Sequence, residues 1–196
     1  MAQRQVLLTG IGGQGIQLSA KTLAMAAVVE GREAVFLGHF SATMRGGQTD
    51  ASIVVGDAPL RALPILDSAW SAMVMSDEFW HDTNAKIPAG GVIVVNSTLV
   101  HDLGRDDCQN FDVPASDIAG ELGAAMSAGY VLLGGYAAIT GMVGIESLVA
   151  AMRELVPAYR TEHLTANEAA LRAGYETAPS LAAPAWEAAS AAGVAS

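Results

Sequence analysis

The sequence predicts an α/β fold: a mostly parallel sheet flanked by helices, followed by C-terminal helices and an Ala-rich tail. Three observations predict it. A short apolar run, "VLLTG" (6–10), leads through "GIGGQG" into a helical pattern and then a second apolar run. Further short apolar runs recur to residue 97, and the remainder is helical in pattern. Strands alternating with helices build parallel sheets covered by helices.

The elements follow in order. "VLLTG" suits a strand buried on both faces. A helix fits from Ile16 to Glu30, with Ile16, Ala20, Leu23, Ala24, Ala27 and Val28 on one face, Gln17 and Lys21 on another, and Gly31 as its stop. "EAVFLG" (33–38) reads as the second strand, so residues 5–38 form a strand–helix–strand unit with a right-handed crossover between parallel strands. The twelve residues "HFSATMRGGQTD" (39–50) lack periodicity and read as a loop. Strands are expected at 51–57, 71–77 and 91–97, a short helix through Phe79 and Trp80, and an edge strand over 110–115. Helices are expected at 116–123, which opens on a Ser/Asp cap signal, and at 130–141, 144–156 and 164–177. The predicted organisation is one Rossmann-like domain over 1–177 and a flexible or partner-binding tail over 178–196, in which Trp186 is the anchor candidate.

Composition narrows the function. Only 15% of the 196 residues are charged, against 52% hydrophobic. A solitary domain usually carries about a quarter charged residues, so the chain reads as a subunit whose surface is partly covered by others. The net charge of −10 argues against nucleic acid, which requires a basic face. It leaves phosphorylated ligands open, because helix N-termini bind anions without net positive charge. With Cys108 as the single cysteine, an intramolecular disulfide and a cysteine-ligated cluster or Cys-rich zinc site held by this chain alone are excluded. Cys108 lies in the acidic stretch "GRDDCQN", which raises a thiol pKa and argues against a nucleophile. The start "MAQRQVLLTGIGG" lacks the pattern of a signal peptide, and a cytoplasmic location is expected. Residues 122–145 contain no charge between Glu121 and Glu146 beyond those flanks. Six glycines and the absence of flanking Lys/Arg make this a buried helix rather than a membrane span.

Ligands of open α/β sheets sit at the carboxyl ends of the strands. That edge collects Gly10–Gly15, His39–Ser41, Ser76–Asp77 and Asn96–Thr98. In "GIGGQG", Gly10 permits a tight turn, Gly12 and Gly13 allow backbone to approach a phosphate, and Gly15 lets the helix start against the sheet. A nicotinamide site also requires an acid at the end of the second strand. That strand ends "FLGHF", and Glu33 sits at its opposite end, so NAD is disfavoured. Gln14 adds an amide beside a ligand or a neighbouring chain. Thr43, Arg45, Gly46, Gly47 and Gln48 form a second glycine loop suited to an anion or to a subunit interface. The sequence has no Ser/His/Asp order, no G-x-S-x-G and no metal spacing among His39, His81, His101 and His163. The Asp77–Glu78/His81–Asp82 cluster reads as a solvated helix start.

"GIGGQG", "MRGGQTDASIVVGD", "VNS", "PASDIAGELG", "VLLGGYAAITG" and "LTANEAALRAGYE" occur in this order over residues 5–177. Together they resemble the gamma subunit of the 2-oxoacid:acceptor oxidoreductases, which act on pyruvate, 2-ketoisovalerate, 2-oxoglutarate, indolepyruvate or phenylglyoxylate. The resemblance implies a complex that decarboxylates a 2-oxo acid on thiamine diphosphate with Mg2+. Electrons pass through [4Fe-4S] clusters to ferredoxin or NAD+, and an acyl-CoA is released. Thiamine and clusters would belong to the alpha, beta and iron–sulfur subunits, and no cofactor to this chain alone. Carried over, Gly10, Gly12, Gly13, Gln14 and Gly15, then Thr43, Arg45, Gly46, Gly47 and Gln48, and Asn96 would form a coenzyme A-binding or gating edge, with no catalytic residue of its own. The sequence departs from the family at "FSATM", where "YGPE" or similar is frequent, and at Gly129, where an asparagine is frequent. Two alternatives stay open: a purely structural interface subunit of the same complex, and a free-standing NAD(P)-binding protein.

Overall fold

The computed structural model describes residues 2–40, 46–60, 65–156 and 163–186. Its elements are β1 (Gln3–Ile11), α1 (Ile16–Val29), β2 (Glu33–Phe40), β3 (Gln48–Gly56), β4 (Ser71–Val74), α2 (Trp80–Asn84), β5 (Val92–Asn96), β6 (Gln109–Val113), α3 (Ala115–Glu121), α4 (Ala128–Thr140), α5 (Ile145–Leu155) and α6 (Leu164–Thr177). A 3₁₀ turn over Ala125–Ser127 precedes α4.

The six strands form one sheet in the order β2-β3-β1-β4-β5-β6. β1, β4, β5 and β6 are parallel neighbours. β3 runs antiparallel to both β1 and β2. This refines the expected crossover unit: β1 and β2 are parallel but not adjacent, because β3 lies between them. The connection from Phe40 to Gln48 is too short to carry a parallel crossover, which takes a dozen or more residues. It returns the chain as a hairpin instead. β3 also starts three residues earlier than expected, so Gln48, Thr49 and Asp50 are strand rather than loop.

The pleat assigns two faces. Val6, Leu8, Ile53, Val55, Met73, Val92 and Val94 pack toward α1, α3, α4, α5 and α6. Leu7, Ala72, Val74, Ile93 and Val95 pack on the other side with Trp80 of α2 and Val100. On α1 the buried set is Ile16, Ser19, Ala20, Thr22, Leu23, Ala26 and Ala27. Val28, expected on the core face, is half exposed at the helix end.

α4 is buried at every one of its 13 positions. A helix that is apolar all round must be enclosed, and here the enclosure is built from glycine. A Cβ on Gly134 would run into the Leu171 carbonyl of α6, and a Cβ on Gly174 into the Val131 carbonyl of α4. The backbones of α4 and α6 therefore touch. The Tyr136 hydroxyl, fully buried, hydrogen-bonds Ser71 Oγ at 2.9 Å and anchors α4 to the start of β4. No helix of the described residues is long and apolar enough to cross a membrane.

Residues 181–185 run along the end of α4, where Leu181, Ala183 and Ala185 N–H groups donate to the carbonyls of Ala138, Ile139 and Thr140. Trp186 Nε1 donates to the Met142 carbonyl at 3.0 Å, and Arg32 stacks on its ring at 3.9 Å. Trp186 is thus engaged within its own chain. Residues 187–196 lie outside the described part.

α5 and α6 are pinned on the surface by Arg172, which binds Glu146 at 2.7 Å and Glu168 at 3.0 Å, and by Arg153, which also binds Glu168. The guanidinium of Arg153, followed by that of Arg172, holds the Glu168 carboxyl below its ordinary range.

Two outcomes follow. Gly174→Ala should destabilise the chain by roughly 3 kcal/mol through overpacking against backbone that has no rotamer to yield; an unchanged urea midpoint would contradict the contact. Glu168 has a depressed folded pKa, so its contribution is present above the ordinary glutamate range and is lost as pH falls through the folded value. Thermal melting of Glu168→Gln should therefore lie below wild type at pH 7 and converge with it in acid, once pH has fallen through the lowered folded value.

Candidate functional site

The first glycine loop is a rigid turn. β1 runs to Ile11, and the Gln14 side chain folds back so that its Oε1 accepts the Ile11 N–H at 2.8 Å. Gln14 N–H donates to the Ile11 carbonyl at 3.1 Å. Gly13 (φ 107°) and Gly15 (φ 79°) take left-handed conformations that other residues adopt only under strain. Gly15 caps α1 with no side-chain cap bond. Expected as a contact group for a ligand or another chain, Gln14 spends its carbonyl oxygen inside the loop.

The second loop meets the first directly. The Gly12 N–H donates to the Gly47 carbonyl at 2.8 Å, and a Cβ on Gly12 would lie 3.4 Å from that same oxygen. Gln48 pairs with Ile11 and Thr49 with Gly10 across β3 and β1. Gly10, Gly12, Gly13, Gln14, Gly15, Gly46, Gly47 and Gln48 thus share one edge. Thr43 and Arg45 fall outside the described residues.

Sequence reasoning missed the side chains that hold this edge. Asp50 accepts Thr9 Oγ1 at 2.7 Å on one oxygen and Gln48 Nε2 at 2.7 Å on the other. Gln17 Nε2 donates to the Asp50 carbonyl at 2.7 Å and to the His39 carbonyl at 3.3 Å. One amide of α1 thereby fixes the ends of β2 and β3 on either side of the 41–47 connection. The available signal was Gln17, a polar residue set off the apolar face of α1.

Asn96 stands at the same edge but two strands away from the loop, with no solvent exposure. Its Nδ2 donates to the Met75 carbonyl at 3.3 Å and to Ser116 Oγ at 2.9 Å, and its Oδ1 accepts the Ser116 N–H at 3.1 Å. These bonds tie β4, β5 and α3 together. Asn96 therefore supports the edge from within the packing and does not line it.

Gly129 explains one departure of the sequence from its resemblance. A Cβ there would come within 2.7 Å of the Gln14 carbonyl and 3.0 Å of Ser19 Oγ. The start of α4 therefore presses on the first loop, where an asparagine side chain has no room.

Cys108 is partly buried, with Sγ 3.6 Å from the Pro88 carbonyl. Burial, ahead of the neighbouring charges, pushes its thiol pKa up, in the expected direction though with burial rather than acidity as the leading cause. No group of three or more His, Cys, Asp or Glu among the described residues could hold a metal ion. The His81–Asp82 pair, 3.0 Å apart, lies exposed on α2. The nicotinamide reading meets a geometric obstacle besides the missing acid. β3 puts two inter-strand spacings, about 10 Å, between the end of β2 and the glycine loop.

The fold and this edge define an α/β domain with paired glycine loops at the carboxyl end of its first strand. The family model for pyruvate ferredoxin/flavodoxin oxidoreductase matches residues 5–177, and the chain belongs to that family. It is 29% identical to the 2-oxoglutarate synthase subunit KorC of Methanocaldococcus jannaschii, over 91% of this chain and 96% of that one. The gamma subunit of a keto/oxoacid ferredoxin oxidoreductase from Geobacter sulfurreducens superimposes with a TM-score of 0.77 at 25% identity, covering 90% of this chain and 96% of that one. A 2-oxoglutarate:ferredoxin oxidoreductase from Magnetococcus marinus, solved with 2-oxoglutarate, coenzyme A and succinyl-CoA, shares the fold at a TM-score of 0.79 and 20% identity. The match covers 93% of this chain and 31% of that much longer one.

Removing the Asn96 bonds should cost more than opening the loop. Asn96→Ala is expected to lose roughly 2–4 kcal/mol, because it strands buried partners, and Gln14→Ala about 1 kcal/mol. Equal urea midpoints for the two variants would contradict these assignments.

Proposed function

We propose that this chain is the gamma subunit of a multisubunit, thiamine-dependent 2-oxoacid:acceptor oxidoreductase that converts a 2-oxo acid to an acyl-CoA. Its own contribution is to bind or gate coenzyme A and to hold the assembly together. The alpha, beta and iron–sulfur subunits carry thiamine diphosphate, Mg2+ and the [4Fe-4S] clusters, and pass electrons to ferredoxin or NAD+. When bound there, thiamine diphosphate supplies the carbanion chemistry of decarboxylation. This chain contributes no catalytic residue.

The observation that carries the reading is the Gly12 N–H···O=C Gly47 bond, which makes one edge of two glycine loops. Backbone N–H groups at such an edge, beside the start of α1, suit the phosphates of a nucleotide-bearing thiol such as coenzyme A. Arg45, next to Gly46, would add a charge-assisted donor. The loops are braced by Gln14, Gln17 and Asp50, so an anion would meet a preorganised surface.

An interface-only role is favoured by one observation: Met126 is 82% exposed beside the glycine loop, an apolar surface that a neighbouring subunit would cover. Steady-state kinetics of the assembled enzyme separate the two. Arg45→Ala should raise KM for coenzyme A about tenfold, the value of a charge-assisted hydrogen bond, with assembly intact by gel filtration. If KM for coenzyme A and assembly are both unchanged, the role given to Arg45 is wrong.

A further inference from the structure

The glycines of the first loop do not all serve the fold. Gly13 and Gly15 have positive φ, 107° and 79°, which a side chain would strain. At Gly10 a Cβ would lie 2.6 Å from Gln14 Oε1 and 2.9 Å from Ile16 Cδ1. Both atoms are held, the first by the Ile11 N–H and the second by burial of its side chain. Gly12 differs from these three. Its φ is not positive, and a Cβ built on it would meet nothing closer than 3.4 Å, an ordinary van der Waals separation. The fold would accept alanine at Gly12, so its bare backbone is left for a group that approaches from outside.

Three groups surround the place that this Cβ would take. The Gly47 carbonyl oxygen is 3.4 Å from it, and the Gly46 nitrogen and Thr49 Oγ1 are each 3.5 Å away. Gly12 and Thr49 are half-buried and Gly46 is exposed, so the notch lies at the surface. Thr49 stands on β3 opposite Gly10 of β1. Its hydroxyl makes no hydrogen bond to any described residue, whereas its neighbours Gln48 and Asp50 are bonded to each other. The Gly47 oxygen accepts the Gly12 N–H at 2.8 Å and keeps its second lone pair.

No side chain at this notch carries a charge. A carbonyl acceptor and a hydroxyl free to donate, both within 3.5 Å of one point, complement a secondary amide. The amide N–H meets the Gly47 oxygen, and the amide carbonyl meets the Thr49 hydroxyl. A phosphate suits the notch less, because the Gly47 carbonyl would face its oxygens. Coenzyme A carries secondary amides in the arm between its phosphates and its thiol.

We propose that the Gly12 notch is the subsite for this amide-bearing arm, with Thr49 as a specificity residue that donates to an amide carbonyl. This rests on the reading that the edge takes coenzyme A, and it places the arm where that reading accounts only for the phosphates.

Two fragments, used as inhibitors of the assembled enzyme against coenzyme A, test it. S-methylpantetheine carries the amides without the phosphates or a free thiol. The bisphosphorylated adenosine half of coenzyme A carries phosphates without an amide. Both should compete with coenzyme A in the wild type. Thr49→Val should raise the inhibition constant of S-methylpantetheine about fivefold, the value of one neutral hydrogen bond, and leave that of the nucleotide unchanged. Thr49→Ser should keep the wild-type value. Gly12→Ala should raise the S-methylpantetheine constant at least as much, without lowering the melting temperature of the chain. The proposal is overturned, with the coenzyme A reading intact, if the nucleotide competes but S-methylpantetheine does not, or if its constant is the same in wild type, Thr49→Val and Gly12→Ala. A Gly12→Ala chain that melts several degrees lower would overturn it by showing that the fold needs this glycine. Loss of assembly in Gly12→Ala by gel filtration would overturn it by giving the notch to a neighbouring chain. If neither fragment competes in the wild type, the coenzyme A reading falls together with it.

Discussion

The enclosure of α4 is the constraint on which the rest depends. Its 13 buried positions leave no face for water, so sheet, α1, α3, α6 and the 181–185 segment must all reach it. Dispersion and burial favour such a helix only if the neighbours come close, and glycine supplies the closeness. Gly134 and Gly174 bring the α6 backbone onto α4, and Gly129 does the same for the first loop. A side chain at any of these positions would push the surrounding layer outward.

From this packing the candidate edge inherits its rigidity. Gly129 sets the start of α4 against Gln14 and Ser19, so the α1 start cannot drift. Gln17, one turn along, then fastens β2 and β3 through the His39 and Asp50 carbonyls. Asp50 passes the constraint to Thr9 on β1 and to Gln48 at the start of the second loop. Each bond has a short reach, yet together they link the helix layer to both glycine loops. Preorganised N–H groups lose less entropy on meeting an anion than a mobile loop does.

The low charge content also takes on a structural meaning. Much of the apolar composition is used internally, in α4 and in strands buried on both faces. Part of it is not: Leu18, Leu122 and Met126 are exposed on or near the side where α1 and α4 begin. Membership of the pyruvate ferredoxin/flavodoxin oxidoreductase family agrees with a chain whose surface meets other subunits.

The sequence by itself determined the class of fold, the positions of nearly every element and the two glycine loops. These are local matters: apolar periodicity, glycine at turns and a strand-to-helix step are written in consecutive residues. It did not determine that β3 would slip antiparallel between β1 and β2, since strand order is settled by pairing across the sheet and by the length of one connection. Nor did it separate Asn96, which is consumed by β4 and α3, from residues that line the edge, because burial depends on what packs from elsewhere in the chain. Gln14 was legible as unusual, but its bond to the Ile11 N–H required the turn to be closed. The backbone contact of α4 with α6 at Gly134 and Gly174 was decided only by tertiary structure, since the two glycines lie in different helices and only packing brings those helices together.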